Sequence, residues 1–204
     1  MTDISARSEL SPRAKEIVAV ARRLLEEEGL ERLSMRRLAD RLGIRAPSLY
    51  KHFADKQELE AALISDGFEE QAAVFENALA DAADPLAAIA AAYRAFATAH
   101  PHLYRLLTER PLEREKLVAG VEARAGRPVY EAVGGDVDLA RATWAFAHGM
   151  TNLELNRRFP DGADLDAAWE RGVASFRAQR SGSSAKIANA AGGITGSPSG
   201  GSDA

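Results

Sequence analysis

The chain of 204 residues has no cysteine. That absence excludes disulfides and thiol redox sensing, and it fits a cytoplasmic protein. No run of about 18 apolar residues occurs, so no transmembrane span and no membrane partner are expected. The N-terminus lacks a basic region followed by an apolar core, so no secretion signal is expected. Strand signals are nearly absent, and the expected fold class is all-α. No Ser-His-Asp arrangement, glycine-rich phosphate loop or dinucleotide fingerprint is present, so no catalytic residue and no cofactor are assigned. The 4 histidines are His52, His100, His102 and His148. His100 and His102 flank Pro101 and need not point the same way. Without cysteine a zinc site would also need carboxylates, and no metal site is assigned.

What the chain does have is concentrated between Ser34 and Phe53. Ser34 is placed to cap a helix by accepting a bond from an orphan backbone N–H. Leu38, Ala39 and Leu42 mark one buried stripe at helical spacing. Gly43 follows where a left-handed residue ends a helix at little cost. Pro47 suits the first turn of a second helix, where its missing N–H costs nothing. That second helix carries Ser48, Leu49, Tyr50, Lys51 and His52 before Phe53 closes it. Two short helices joined at a glycine match a helix-turn-helix, whose second helix enters the DNA major groove. Residues 12–29 form a bracing amphipathic helix through Ile17, Val18, Ala21, Leu24 and Leu25, ending at Gly29. Asp55 is placed to cap the next helix, with Lys56 in its first turn.

Residues 12–64 resemble the DNA-binding domain of the TetR family of bacterial transcriptional regulators. The matching residues are Ala21, Leu24-Leu25, Gly29, Ser34, Leu38-Ala39, Leu42-Gly43-Ile44, Leu49-Tyr50-Lys51-His52-Phe53, Lys56 and Leu59. The chain departs from the family at Arg45, where a small hydroxyl residue is common, and at Ala46-Pro47. Both departures bear on base preference rather than on fold. The resemblance implies that Ser34, Tyr50 and Lys56 hold DNA backbone oxygens, with Arg36 and Arg37 nearby. Arg45, Ser48 and Lys51 are the candidates to face base edges, and Ala46, Pro47 and His52 complete the expected DNA-binding set.

Net charge is −4, an unpromising value for a DNA binder until the chain is divided. Residues 1–56 hold 12 Lys/Arg and 9 Asp/Glu, 12 − 9 = +3, and residues 57–204 hold 14 and 21, 14 − 21 = −7. The basic charge lies with the motif, and local charge decides phosphate attraction when the Debye length is about 8 Å. The acidic run Glu26-Glu27-Glu28 reads as a solvated face.

The remainder reads as helices with visible punctuation. One runs over 55–81. Asp84-Pro85 starts another through His100, and Pro101 a shorter one with Leu103, Tyr104, Leu106 and Leu107. A helix is expected from Pro111-Leu112 to about Val133, with a break at Gly126-Arg127-Pro128 left open. Gly134-Gly135 is a turn. An apolar helix over 138–158 ends at Phe159-Pro160-Asp161-Gly162, and Asp164 caps a last helix to about Arg180. Residues 181–204 hold 6 Ser and 6 Gly, which offers little apolar surface to offset ordering entropy. The expected organisation is a flexible arm (1–11), a helix-turn-helix domain (12–56), a helical ligand-binding and dimerisation domain (57–180) and a disordered tail (181–204).

The helix over 138–158 is apolar around most of its circumference, through Leu139, Trp144, Phe146, Ala147, Met150, Leu153 and Leu155. Such a helix must be covered on more than one side. In the resembled family the last two long helices pair with their symmetry mates. Here those are 138–158 and 164–180, with Gly149 and Gly172 allowing close approach, and a homodimer is expected. A monomer with this helix at its centre is the alternative. Trp144, His148 and Gly149 resemble a Trp-His-Gly subtype of the family's C-terminal domain. Ligand contacts are expected from Phe75, Tyr93, Phe96, His100, Tyr104, Trp144 and His148, with the 55–81 helix as the lever.

These expectations describe a ligand-responsive regulator, a repressor that binds a palindromic double-stranded DNA operator as a dimer and is released by an apolar small molecule. Two alternatives stay open. One is an all-α enzyme or carrier whose helix-turn-helix serves protein contacts. The other is a constitutive DNA-binding protein without a ligand.

Overall fold

The computed structural model describes residues 10–192, with side chains through residue 179. Every regular element in that range is helical: α1 (Pro12–Glu28), α2 (Met35–Leu42), α3 (Lys56–Leu79), α4 (Pro85–Ala99), α5 (Pro101–Thr108), α6 (Val121–Ala132), α7 (Val137–Leu155) and α8 (Leu165–Gly192). Short 3₁₀ segments occur at Leu30–Arg32, Ala46–Lys51 and Arg114–Lys116.

Local chemistry sets the helix starts. The Ser34 hydroxyl accepts the Arg37 N–H at 3.3 Å, and Asp55 Oδ1 accepts the Glu58 N–H at 2.8 Å. Asp84 and Asp164 do the same for Ala87 and Ala167 at 3.2 and 2.9 Å. Each bond satisfies one of the four donors a helix N-terminus leaves orphaned. Gly43 ends α2 in the left-handed conformation, φ 66°, which a side chain would strain.

Three elements depart from the sequence expectation. The second element of the helix-turn-helix is a 3₁₀ segment rather than an α-helix, closed by Ser48 N–H to Arg45 O at 2.9 Å and His52 N–H to Leu49 O at 2.8 Å. It has only 6 residues and no side-chain cap, and Pro47 supplies no donor, conditions under which the tighter winding suffices. No helix begins at Pro111. Instead α6 starts after Gly120, at φ 79°, and passes through Pro128 without breaking, the proline ring buried on its packed face. Finally, α8 runs past Arg180 to Gly192. The stretch Ala185–Ala191 is rich in alanine, the strongest helix former, and carries the helix through the flanking glycines. Residues 1–9 of the expected arm and 193–204 of the expected tail lie outside the described residues.

Two hydrophobic cores result. The first joins Ile17, Leu24 and Leu25 of α1, Leu38 of α2, Leu49 and Phe53 of the turn, and Leu59 and Leu63 of α3. Phe96, Leu103, Leu106 and Leu107, from α4 and α5, complete it. The second gathers Phe75, Leu86, Ile89, Tyr93, Tyr104, Val129, Leu139, Trp169 and Val173 from α3 to α8. A boundary at residues 56/57 thus divides the chain but not the cores. Each fully buried Leu or Phe contributes about 1.5–3 kcal/mol.

Two glycines allow helices to touch. A Cβ on Gly67 of α3 would lie 3.0 Å from Leu103 Cδ1 of α5. A Cβ on Gly172 of α8 would lie 2.0 Å from Phe146 Cζ of α7. Phe146 has little room to retreat, being packed edge-on against Trp169 with centroids 5.5 Å apart and against Phe176 at 5.6 Å. Gly172→Val should therefore lower stability by about 1–3 kcal/mol through overpacking. In thermal unfolding, adding Phe146→Ala should recover part of that loss. Strictly additive effects would show that α7 and α8 are not pinned at this contact.

Candidate nucleic-acid interface and effector cluster

The helix-turn-helix presents a polar rim above the first core. Leu49 and Phe53 anchor the turn from below, at 0% and 3% exposure. Pro47, Tyr50, Lys51 and His52 point outward, with Ser48 and Ala46 half-buried between them. Arg45 is exposed at the mouth of this segment and Arg36 on the first turn of α2. Neither makes an ion pair among the described residues. Ser34 caps with its oxygen, which leaves its O–H free to donate to an anion. Lys56 is half-buried, its Nζ 3.2 Å from Glu60 Oε1. Most of the sequence-predicted DNA set is therefore exposed or half-buried, and none of it belongs to the core.

Arg37 differs, because its guanidinium is bonded to Glu28. Arg41, one turn later, donates to Glu27 at 2.7 Å and to Glu28 at 3.2 Å. The acidic run is thus no solvated face. Glu26, its first member, reaches α5 and accepts the backbone N–H groups of His102 at 3.3 Å and Leu103 at 3.1 Å. The reason is geometric. His100, the N-cap residue of α5, provides no side-chain cap, and Glu26 from α1 satisfies those donors in its place. Arg22 supports the joint by bridging Glu26 at 3.5 Å and Glu70 at 2.9 Å. Sequence reasoning missed Arg41, Glu26 and Glu28. The i, i+4 spacing of Arg37 and Arg41 was visible, but their partners lie on another helix.

The expected ligand residues divide. Phe75, Tyr93, Tyr104, Trp144 and His148 form one chain through the second core. Phe75 stacks on Tyr93 with centroids 6.1 Å apart, and Tyr93 meets Tyr104 edge-on at 5.9 Å. The Tyr104 hydroxyl lies 2.7 Å from His148 Nδ1, and the His148 ring stacks on Trp144 at 6.0 Å. Burial pushes both phenols above their ordinary titration range, so they remain neutral hydrogen-bonding groups. Phe96 and His100 lie elsewhere. Phe96 packs in the core under the helix-turn-helix, and His100 Nε2 sits 3.4 Å from Glu70 at the α1–α5 joint.

Beside the aromatic chain a seam opens between α4, α6, α7 and α8, bounded by Leu86, Ile89, Tyr93, Thr143, Trp144 and Phe176. Its free volume is only about 10 Å³. Trp144 is nevertheless 51% exposed, and Thr143 Oγ1 is buried with no partner among the described residues. A larger open groove of about 880 Å³ runs between α1, the Lys51–Phe53 turn, α3 and Lys116–Val118.

Residues 17–63 match the family model for bacterial regulatory proteins of the tetR family, and residues 86–176 match that for the tetracyclin repressor-like C-terminal domain. The chain is 28% identical over 163 residues to an uncharacterized HTH-type transcriptional regulator, Rv0681, of Mycobacterium tuberculosis, covering 75% of this chain and 74% of that protein. It is similar to a solved protein of unknown function from Rhodococcus sp. RHA1, with TM-score 0.66, 27% identity, and coverage of 84% and 96% of the two chains. A TetR variant from Acinetobacter baumannii AYE in complex with minocycline aligns with TM-score 0.57 and 27% identity, over 84% of this chain and 96% of that one. BioQ with its natural double-stranded DNA operator aligns with TM-score 0.56 and 25% identity, over 81% and 98%. The helix-turn-helix rim, the all-helical second core and both family matches agree: the chain belongs to the TetR family of DNA-binding transcriptional regulators.

Proposed function

We propose that this protein is a repressor that acts by binding rather than catalysis, grips a palindromic operator as a homodimer in the cytoplasm, and lets go when a small molecule enters its second core. The observation that carries the DNA half is the exposed rim of Arg36, Arg45, Tyr50, Lys51 and His52 above a fully buried anchor. Ser34, Tyr50 and Lys56 serve as phosphate contacts, with Arg36 beside them. Arg45, Ser48 and Lys51 face base edges, and Ala46 and Pro47 set the approach of the backbone. Solved relatives bound to an operator and to minocycline show that this fold accommodates both kinds of ligand.

The dimer surface is α7 with α8. Val137, Trp144 and Leu153 of α7 are 48%, 51% and 41% exposed, large apolar groups left open on one helix. Val137 and Trp144, seven residues apart, share one side of α7, while Leu153 lies across the helix on the side of Gly149, where a Cβ would meet nothing within 4 Å and a second helix can approach closely. Two-fold pairing there would set the recognition segments about 34–36 Å apart, one helical turn of DNA.

The effector site is the seam beside Tyr93, Tyr104, Trp144 and His148. It is lined mainly by apolar groups with a few neutral polar ones, the usual composition of small-molecule sites. In the closed form it is too small for a ligand, so the half-exposed Trp144 must move. The closed seam also favours a second reading, a constitutive DNA binder. Titrating the protein on its own upstream DNA with a panel of apolar compounds separates the two, since only an effector-responsive protein is released.

Lys56→Ala should weaken binding to all DNA sequences alike and lower the log–log salt slope by about one for each phosphate that a subunit no longer neutralises. An unchanged slope and affinity would remove Lys56 from the interface. Arg45→Ala should instead relax one operator position, at about 1–3 kcal/mol of discrimination, when a randomised operator is selected. A uniform loss across sequences would make Arg45 a phosphate contact. Ala90 lines the seam from α4 at 9% exposure, so Ala90→Met fills it. The variant should stay folded and dimeric yet bind the operator more weakly, as if liganded. Parent-like operator binding would place the effector site elsewhere.

A further inference from the structure

The clamp between α1 and α2 is not used by the function proposed above. Glu28 is its centre. Its side chain is 18% exposed, and it is bonded to Arg37 while its Oε1 lies 3.2 Å from Arg41 Nη2. Glu27 adds a second carboxylate to Arg41 at 2.7 Å. The two arginines stand four residues apart on one face of α2, 47% and 41% exposed. Arg37 is also the residue whose N–H is capped by Ser34, so it lies on the turn of α2 that a helix-turn-helix lays against the DNA backbone. By contrast Arg36, Arg45 and Lys51 are exposed and carry no ion pair among the described residues.

We propose that Glu27 and Glu28 withhold Arg37 and Arg41 from sequence-independent phosphate binding, so that the protein grips ordinary duplex DNA less tightly than its basic count would give. The proposal rests on the DNA-binding reading of this surface. The physics is counterion release. A free arginine displaces a condensed cation when it meets a phosphate, and that release makes non-specific affinity fall steeply with salt. An arginine already neutralised by a carboxylate offers no such net gain. Its carboxylate also lies within a Debye length, about 8 Å, of any phosphate that the arginine could reach, and repels it. Moving Arg37 to DNA leaves Glu28 with Arg41 as its remaining partner. Contacts available on every sequence are thereby reduced to the cations outside the clamp, among them Lys56, which faces a single carboxylate, Glu60, at 3.2 Å. Discrimination is a difference between specific and non-specific affinity, so lowering the second raises the ratio without a new base contact.

The sign of the effect separates masking from a merely structural role. Glu28→Gln keeps size and hydrogen bonding but removes the charge. Binding to random-sequence duplex DNA would be measured by fluorescence anisotropy across a range of potassium chloride, with thermal unfolding recorded on each protein. Glu28→Gln should bind this DNA more tightly, with a salt slope steeper by about one per subunit. Arg37→Gln should change the parent's slope little, yet cancel the added slope in the Glu28→Gln background. Glu27→Gln loosens only Arg41 and should shift the slope the same way by less, which keeps the test alive if Glu28→Gln is poorly folded. A folded Glu28→Gln, or in its place a folded Glu27→Gln, with an unchanged or shallower slope overturns the masking. A parent that binds no DNA overturns the DNA-binding reading, and the masking falls with it. A parent that binds, with a slope indifferent to these charges, overturns the masking alone.

Discussion

The structure depends on one short helix that belongs to two cores. Helix α5 has 8 residues. Leu103, Leu106 and Leu107 pack under the helix-turn-helix, while Tyr104, turned to the side, joins Tyr93 in the second core and reaches His148. A two-turn helix has little stability of its own. Its position is imposed from outside, by the buried leucines, the hydrogen-bonded phenol beside them, and the Glu26 carboxylate across its first amides. Gly67 permits the approach to α3, where any side chain would meet Leu103. The DNA-binding unit is therefore not a bead on a linker. Part of its hydrophobic floor is built from the second half of the chain.

That arrangement explains which parts of the sequence could be read and which could not. Helix starts were legible because a cap is a local event. Ser34, Asp55, Asp84 and Asp164 each bond an amide three residues on, and the sequence alone predicts such contacts. The buried stripe of α2 and the anchors Leu49 and Phe53 were legible for the same reason. The recognition element was visible as a unit, but not its 3₁₀ winding, which turns on the balance of a few bonds. The acidic run at Glu26–Glu28 was misread because its three partners, α5, Arg41 and Arg37, are set by how helices pack. Phe96 and His100 carry the aromatic and polar character expected of ligand contacts. Only the direction of α4 as it enters α5 shows that they face the first core and the α1 joint.

Electrostatics and packing divide the molecule differently. By charge, the N-terminal 56 residues are basic and the rest acidic. By packing, α4 and α5 straddle that line. The ion pairs follow the packing. Arg94 of α4 binds Glu154 of α7 at 2.8 Å and Asp166 near the start of α8 at 2.5 Å, and its guanidinium lies over the Trp169 ring. These contacts tie α4 to the two helices that carry the exposed apolar face. Exposed pairs of this kind are worth little singly, but a guanidinium held by two carboxylates and an indole fixes geometry.

Rigid coupling follows from the same contacts. Any opening of the seam between α4, α6, α7 and α8 must displace groups adjoining Tyr93 and Trp144. Tyr93 is bonded to Tyr104, and Trp144 is stacked on the histidine that holds Tyr104. Tyr104 can yield in two ways. If α5 shifts as a body, Leu103 and Leu107 leave their places against α3 and α1, and Glu26 loses the amides of His102 and Leu103. If α5 stays, Tyr104 breaks its bond to His148 and leaves a half-buried imidazole nitrogen without its partner, a cost of about 1 kcal/mol. Close-packed interiors yield in steps rather than by smooth deformation. Strain at the seam therefore either stays local at that cost or reaches α1, the helix that braces the DNA-facing rim.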